Sequence, residues 1–331
     1  MMGMLREGRR AQRGTAPLEG ITYNGFWIAM DELPQVFIKR MIDLHGPSAR
    51  DWLDGLPARI RLLEDRWQIR VTDPFPALTY HYVAPALRGD STEAILKLGV
   101  PGSYFDQEAQ CLRAFAGEGA VHLLEWDAGA GAMLLERIRP GSNIKSLEEE
   151  EAVAAVAAVM GRLHRPADTP YPFPTVQDWG KGFQRLRDRF AGGCGPLPAD
   201  LVDEGDKVFA ELANSMDSAV LLHGDLHQET VLASDRQSWL AIDPQGVIGE
   251  PAYEVGAFLR NPLPEMLEWT NLRAIMARRV DLLADMLGFD KRRIAGWGFA
   301  QAVLSAIWSL EDHGSGWENA LAAAAALRPH G

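Results

Sequence analysis

The sequence predicts an α+β protein in two lobes, a small strand-rich one followed by a larger and mainly helical one. Three observations predict it. Between residues 69 and 136, apart from a helical stretch at 105–115, the apolar residues fall in short runs broken by turn residues, and the clearest run, 94–98, alternates as a half-buried strand must. Beyond residue 142 apolar residues recur at intervals of three and four, which lines up one face of a helix. Two further apolar runs, 219–222 and 239–242, set an island of short strands inside the helical part, and each delivers an aspartate to a loop. At 331 residues the chain is long enough for two sizeable cores.

Taken in order, residues 1–20 carry Arg6, Arg9, Arg10 and Arg13 with little apolar content, and are expected to be a disordered leader without the apolar centre of a secretion signal. Residues 48–67 place Trp52, Leu56, Ile60, Leu63 and Trp67 on one face and predict an amphipathic helix. Residues 69–100 read as strands, the last bounded by Pro101-Gly102; Phe105, Leu112 and Phe115 mark a helix, and 121–126 and 132–136 two more strands. Arg139-Pro140-Gly141-Ser142 breaks the pattern, which places an N-terminal lobe at 21–139 and a C-terminal lobe at 140–331. A helix over 147–164 presents Val153, Val156, Val159, Met160 and Leu163, with glutamates at 148–151 favouring the positive end of its dipole. Helices at 180–190 and 200–215 lead to the strand island, and 253–327 is again helical, with a break at Gly314-Ser315-Gly316.

Composition narrows the functions. With 47% hydrophobic and 24% charged residues the chain is an ordinary globular protein, and a formal net charge of −12 argues against nucleic acid, whose phosphates need basic patches. The two cysteines, Cys111 and Cys194, form no paired or zinc-binding pattern, as expected of a reducing, cytoplasmic setting. The longest apolar runs, 152–160 and 320–327, are too short to span a bilayer, so no membrane partner is expected.

The chemistry concentrates in Leu221-Leu222-His223-Gly224-Asp225-Leu226-His227 and Trp239-Leu240-Ala241-Ile242-Asp243-Pro244. A carboxylate at a strand end, as Asp225 is, can orient a hydroxyl and accept its proton, with His223 beside it. Asp243 can hold magnesium, which takes one or two carboxylates and completes its shell with phosphate oxygens. Lys97, inside an alternating apolar strand, can aim an ammonium at phosphates if a carboxylate steadies it, and Glu108, eleven residues on, is placed to do so after a turn and two helical turns. His223-x-Asp225-x-His227 also matches part of a metallohydrolase ligand set, but the further ligands such a site needs are absent, since His122, His164 and His313 are scattered. The loop between the first strands, 73–78, has no glycine, so a phosphate cradle there depends on Lys97, the metal and backbone groups.

Lys97, Glu108, the His223-x-Asp225 loop and Asp243-Pro244, in this order, resemble the aminoglycoside phosphotransferases, and the stretches 94–99, 134–137, 241–261 and 302–312 resemble the streptomycin 6-kinase and hydroxyurea phosphotransferase branch. The resemblance covers about residues 20–328 and implies a bilobal protein-kinase-like fold with a small antiparallel sheet in the N-terminal lobe. It implies ATP and Mg2+ as cofactors: Lys97 on the phosphates and paired with Glu108, the backbone of Glu136, Arg137 and Ile138 as the adenine hinge, Asp225 as base or orienting group, and Asp243 on the metal. Thr230 stands where the family pattern has a metal-binding Asn, with Gln228 and Glu229 as neighbours able to complete the ligand set. The resulting expectation is a kinase of a small-molecule hydroxyl, an aminoglycoside of the streptomycin type foremost, acting as a monomer or homodimer. A nucleotide-binding regulator that has lost transfer, or a kinase of another metabolite, is the alternative.

The string 308–318 holds Glu311, Asp312 and Glu318 and no Lys or Arg, which suits the cationic groups of such an acceptor, with Trp308 or Trp317 adding cation–π contact. Asp178, beside Trp179, is a second candidate for acceptor binding.

Overall fold

The computed structural model describes residues 33–166 and 169–328; the expected leader, 1–20, lies outside the described residues. Three helices open the described chain: α1 (Gln35–His45), α2 (Ser48–Asp54) and α3 (Leu56–Trp67). The single helix expected over 48–67 is divided at Gly55, because Pro57 has no N–H to donate and its ring would clash with the carbonyl four residues back.

A five-stranded antiparallel sheet follows, in the order β1-β2-β3-β5-β4, from β1 (Ile69–Val71), β2 (Tyr82–Arg88), β3 (Glu93–Leu98), β4 (Leu123–Asp127) and β5 (Ala132–Glu136), with α4 (Ser103–Phe115) inserted after β3. Alternation divides the sheet between two cores: Ala94, Leu96, Leu98, Ala132 and Leu134 pack with α1–α3, whereas Met133 and Leu135 face the other way, into the main core with Phe105 and Leu112 of α4. Lys97 is opposite Val83 and Met133, and so lies on that second face, toward the rest of the molecule.

After β5 the chain changes sheet. β6 (Pro140–Asn143) pairs with β8 (Val231–Ser234), which pairs with β9 (Ser238–Ala241), while β7 (Val220–Leu222) pairs with β10 (Val247–Gly249). These two small sheets are the predicted island. Around them stand α5 (Glu149–Leu163), α6 (Val176–Arg189), α7 (Ala199–Asn214), α8 (Val255–Leu259), α9 (Leu272–Leu287), α10 (Lys291–Asp312) and α11 (Trp317–Leu327). α10 is apolar on all sides, so it runs through the centre, burying Trp297, Phe299, Val303 and Ile307 among α7, α9 and α11. It stops where Gly314 and Gly316 take the left-handed conformation that lets the chain turn into α11. Among the described residues no helix is long and apolar enough to cross a membrane.

Candidate active site

Three chain segments far apart in sequence meet at Lys97. Its side chain is 4% exposed, and its Nζ donates to Glu108 Oε1 at 2.6 Å and to Asp243 Oδ1 at 2.8 Å. Burial pulls the ammonium toward neutrality, but the two carboxylates outweigh it and hold Lys97 protonated. Burial pushes the Glu108 carboxyl up, to about 7, against the pull of Lys97. Asp243 is raised by burial too, yet Lys97 brings it below the ordinary carboxylate range. Its backbone is left-handed at φ 60°, a conformation costly for a residue with a Cβ, and this turns the carboxylate back over the cluster ahead of Pro244. Gln107 of α4 fastens the same loop from the other side, donating to the carbonyls of Gln245 (2.7 Å) and Gly246 (3.0 Å).

The loop carrying Asp225 is interlocked with the one carrying Asp243. His223 Nε2 meets the carbonyl of Ile242 at 2.8 Å, and the N–H groups of Gln245 and Gly246 donate to the His223 carbonyl. Glu254, 1% exposed, accepts the N–H groups of both His223 (2.6 Å) and Gly224 (2.8 Å). Gly224 is left-handed at φ 87°, and a Cβ there would lie 2.7 Å from the Trp179 ring, so only glycine lets the chain pass. Asp225 itself receives Arg260 Nη2 on Oδ1 at 2.7 Å, with His227 Nε2 3.8 Å from Oδ2. Burial lifts the Asp225 carboxyl, but Arg260, then His227 and His223, outweigh it and hold it below the ordinary range. A carboxylate so stabilised orients a hydroxyl better than it takes its proton.

Thr230, the position expected to touch metal, uses its hydroxyl otherwise. Oγ1 lies 3.1 Å from the Asp225 carbonyl and 3.2 Å from that of His227, and accepts the His227 N–H at 2.9 Å. Gln228 is buried with its amide on the carbonyl of Asn261 (2.9 Å), and Glu229 pairs with Lys145, so neither neighbour is drawn toward Asp243. Replacing Thr230 by Val keeps the shape but orphans the buried His227 N–H, and is expected to cost about 1–3 kcal/mol in stability and to lower kcat with it; denaturant unfolding beside kinetics checks this. A rise in turnover for Thr230→Asn would instead mark the missing metal ligand as the limiting feature.

The residues expected to form a hinge, 136–138, lie at the end of β5 and just beyond it. The Glu136 N–H donates to the His122 carbonyl at 3.0 Å and its carboxylate pairs with Arg236 at 2.8 Å. The Arg137 guanidinium lies 5.1 Å from the Phe75 ring, its buried Nε has no partner among the described residues, and Ile138 is buried.

The acidic candidates differ from their sequence appearance. Glu311 is held by both arms of Arg185, at 2.9 and 2.7 Å, so a cation 126 residues away in sequence already takes its charge. Asp178 closes a capping box with Thr175 at the start of α6 and pairs with Lys181 at 2.7 Å, Lys181 above all holding it well below the carboxylate range. Asp312 and Glu318 remain exposed and have no ion pair among the described residues. Trp308 stands edge-on to Trp179, ring centroids 5.5 Å apart, and Trp179 abuts Gly224 beside Asp225, which makes this pair an aromatic wall at the candidate site. Arg260, Glu254 and Arg185 were not singled out by sequence reasoning, although the first two lie in the stretch 241–261 that carries the family resemblance.

This architecture is shared with known phosphotransferases. A choline kinase from Streptococcus pneumoniae superposes with a TM-score of 0.60 at 15% identity, over 82% of this chain and 99% of that one. An aminoglycoside phosphotransferase in ternary complex with ADP and hygromycin B superposes at 0.55, also at 15% identity, over 82% and 99%. At such identities the likeness shows the fold, the two-lobed protein-kinase-like fold of small-molecule phosphotransferases. Sequence similarity is more specific: the aminoglycoside/hydroxyurea antibiotic resistance kinase profile matches residues 66–313. A hydroxyurea phosphotransferase from Kitasatospora aureofaciens is 34% identical over 295 residues, 86% of this chain and 82% of the relative. A streptomycin 6-kinase from Streptomyces glaucescens is 31% identical over 310 residues, 90% and 98% of the two chains. The chain belongs to the aminoglycoside/hydroxyurea antibiotic resistance kinase family, and is an enzyme that phosphorylates a small molecule.

Proposed function

We propose that the protein transfers the terminal phosphoryl group of ATP to a hydroxyl of a cationic, streptomycin-like aminoglycoside. The observation that carries this reading is the convergence of Lys97, Glu108 and Asp243 beside Asp225, on loops locked together by His223 and Glu254. Phosphoryl transfer asks for positioning and charge neutralisation, and these residues supply both. Lys97 contacts the phosphates and Glu108 keeps it aimed. The backbone of Glu136, Arg137 and Ile138 takes the adenine. Asp225 orients the acceptor hydroxyl with Arg260 fixing one of its oxygens, and Thr230 braces its loop.

Asp243 fits magnesium. Its side chain is half-exposed, and magnesium needs only one or two carboxylates because it takes most of its shell from phosphate and water. When bound, magnesium neutralises phosphate charge. The lobes at 21–139 and 140–331 and a reducing, cytoplasmic setting for the buried thiols of Cys111 and Cys194 belong to the same reading.

For the acceptor, Trp179 and Trp308 offer faces to a guanidinium or ammonium group, with Asp312 and Glu318 open beyond them. A second reading, a small neutral acceptor, is favoured by the capture of Glu311 by Arg185, which leaves the patch less negative than its sequence, and by the relative named for hydroxyurea. The test is magnesium-dependent ATP turnover with streptomycin-type aminoglycosides and with hydroxyurea. For a cationic acceptor, Asp312→Asn and Glu318→Gln are each expected to raise KM by up to about five-fold, the worth of an exposed ion pair; an unchanged KM supports the neutral acceptor, and no turnover with either class rejects both.

A further inference from the structure

The loop joining β1 to β2 cannot cover phosphates in the usual way. Residues 72–81 contain no glycine, the residue that lets main chain approach phosphate oxygens closely. Pro74 and Pro76 have no N–H to give. The N–H groups of Thr72 and Phe75 are already taken by the carbonyls of Pro85 (2.9 Å) and Val83 (3.0 Å), which fasten the loop to β2.

The loop ends on His81. It stands one residue before β2, and continuing that strand's alternation backwards puts it on the face of Val83, which lies opposite Lys97. The ring packs against Phe105 of α4, centroids 5.5 Å apart, and lies so close over Gly99 that a Cβ there would come within 2.7 Å of its Cδ2. Lys97, Asp243 and His45 are the charged or titratable groups that bear on it. It is half-buried, and no hydrogen bond joins its ring nitrogens to any of the described residues, whereas Lys97 is bonded to both Glu108 and Asp243.

We propose that His81 donates its ring N–H to the terminal phosphates of the nucleotide, in place of the backbone cradle that this loop lacks. The proposal rests on the nucleotide reading above. A neutral imidazole retains one N–H that it can give to a phosphate oxygen. The contact adds a directed hydrogen bond beside the charge of Lys97. It is expected to reach phosphates beyond the first, because Lys97 and Asp243 are among the groups that bear on the ring and the hinge residues are not.

Calorimetric binding of ATP and of AMP to the wild type, His81→Ala, His81→Phe and His81→Asn tests this. Phe keeps a ring against Phe105 without a donor, whereas Asn keeps a donor without the ring. ATP affinity is expected to fall about ten- to hundred-fold in the Ala and Phe variants, the worth of one hydrogen bond to a charged group, with AMP affinity unchanged and ATP affinity partly restored in Asn. Should the Ala variant not fold, the Phe and Asn variants decide alone. Equal weakening of ATP and AMP, or unchanged ATP affinity in Phe, overturns the role of His81 and leaves the nucleotide reading standing. A wild type that binds AMP or ATP in no measurable degree overturns both.

Discussion

Asp225→Ala is expected to lower turnover about 10²- to 10⁴-fold while ATP affinity stays near that of the wild type. The carboxylate sits on a loop whose backbone is held by Glu254, Thr230 and the Asp243 loop, so truncating the side chain removes the group proposed to orient the acceptor while the loop itself stays held. Its electrostatics predict a second result. The folded Asp225 carboxyl titrates below its ordinary 3.8, so its ionised form stabilises the fold above that value, and this contribution is lost only as pH falls through the lowered folded value. The acid limb that Asp225 imposes on kcat/KM is therefore expected below the ordinary carboxylate range. Arg260→Ala leaves only His227 and His223 to oppose burial, and the limb is expected to move toward neutral pH. An unmoved limb would mean that Arg260 does not set the ionisation of Asp225; wild-type turnover in Asp225→Ala would remove Asp225 from the mechanism.

Lys97→Met is expected to cost both activity and stability. One preorganised cationic contact to a transferring phosphoryl group is worth about 10²- to 10³-fold in rate. The stability loss has another origin. Glu108 is 9% exposed and loses the cation it pairs with among the described residues, and removing one member of a buried pair costs about 3–5 kcal/mol because the other charge stays behind. Glu108 also fixes the direction of the pH dependence. Its folded value, about 7, lies above the ordinary 4.5, so between these the native state holds a proton that the unfolded chain has lost, and stability falls as pH rises through that window. Lys97→Met removes the group that opposes this rise, so the fall is expected to steepen. The double variant Lys97→Met, Glu108→Gln is expected to regain most of the stability and none of the turnover, which separates the two effects by unfolding and kinetics on the same proteins. Recovery of turnover in the double variant would mean that Lys97 serves the fold alone.

Much of this site was legible in the sequence because its parts are local. A strand, a turn and two helical turns connect Lys97 to Glu108, and their 2.6 Å contact follows from eleven residues of spacing. The loops of Asp225 and Asp243 each follow a strand of three or four residues, and the apolar runs mark those strands directly. The acidic string at 308–318 was legible as residues and illegible as a surface. It contains no cation, yet Arg185 from α6 pairs with Glu311, and nothing in the spacing of either segment announces the other. Thr230 is a similar case: sequence comparison marked the position as a metal ligand, whereas the hydroxyl is short enough to fold back onto the carbonyls of its own loop. His81 sits at the end of a loop notable in sequence only for lacking glycine, and its proximity to Lys97 depends on the β2–β3 register.

By itself, the sequence determined the two-lobed order of elements and the family, and marked Lys97, Glu108, Asp225 and Asp243 as the candidates for its chemistry, since periodicity, turn residues and short motifs act over a few residues. The tertiary structure alone decided which charges are free: Arg260 on Asp225, Arg185 on Glu311 and Lys181 with Thr175 on Asp178 are occupied, while Asp312 and Glu318 are exposed without ion pairs among the described residues. The reason is physical. Whether a carboxylate can receive a ligand depends on which cation lies within about 4 Å of it, where the interaction is strong, and separation along the chain does not limit that distance.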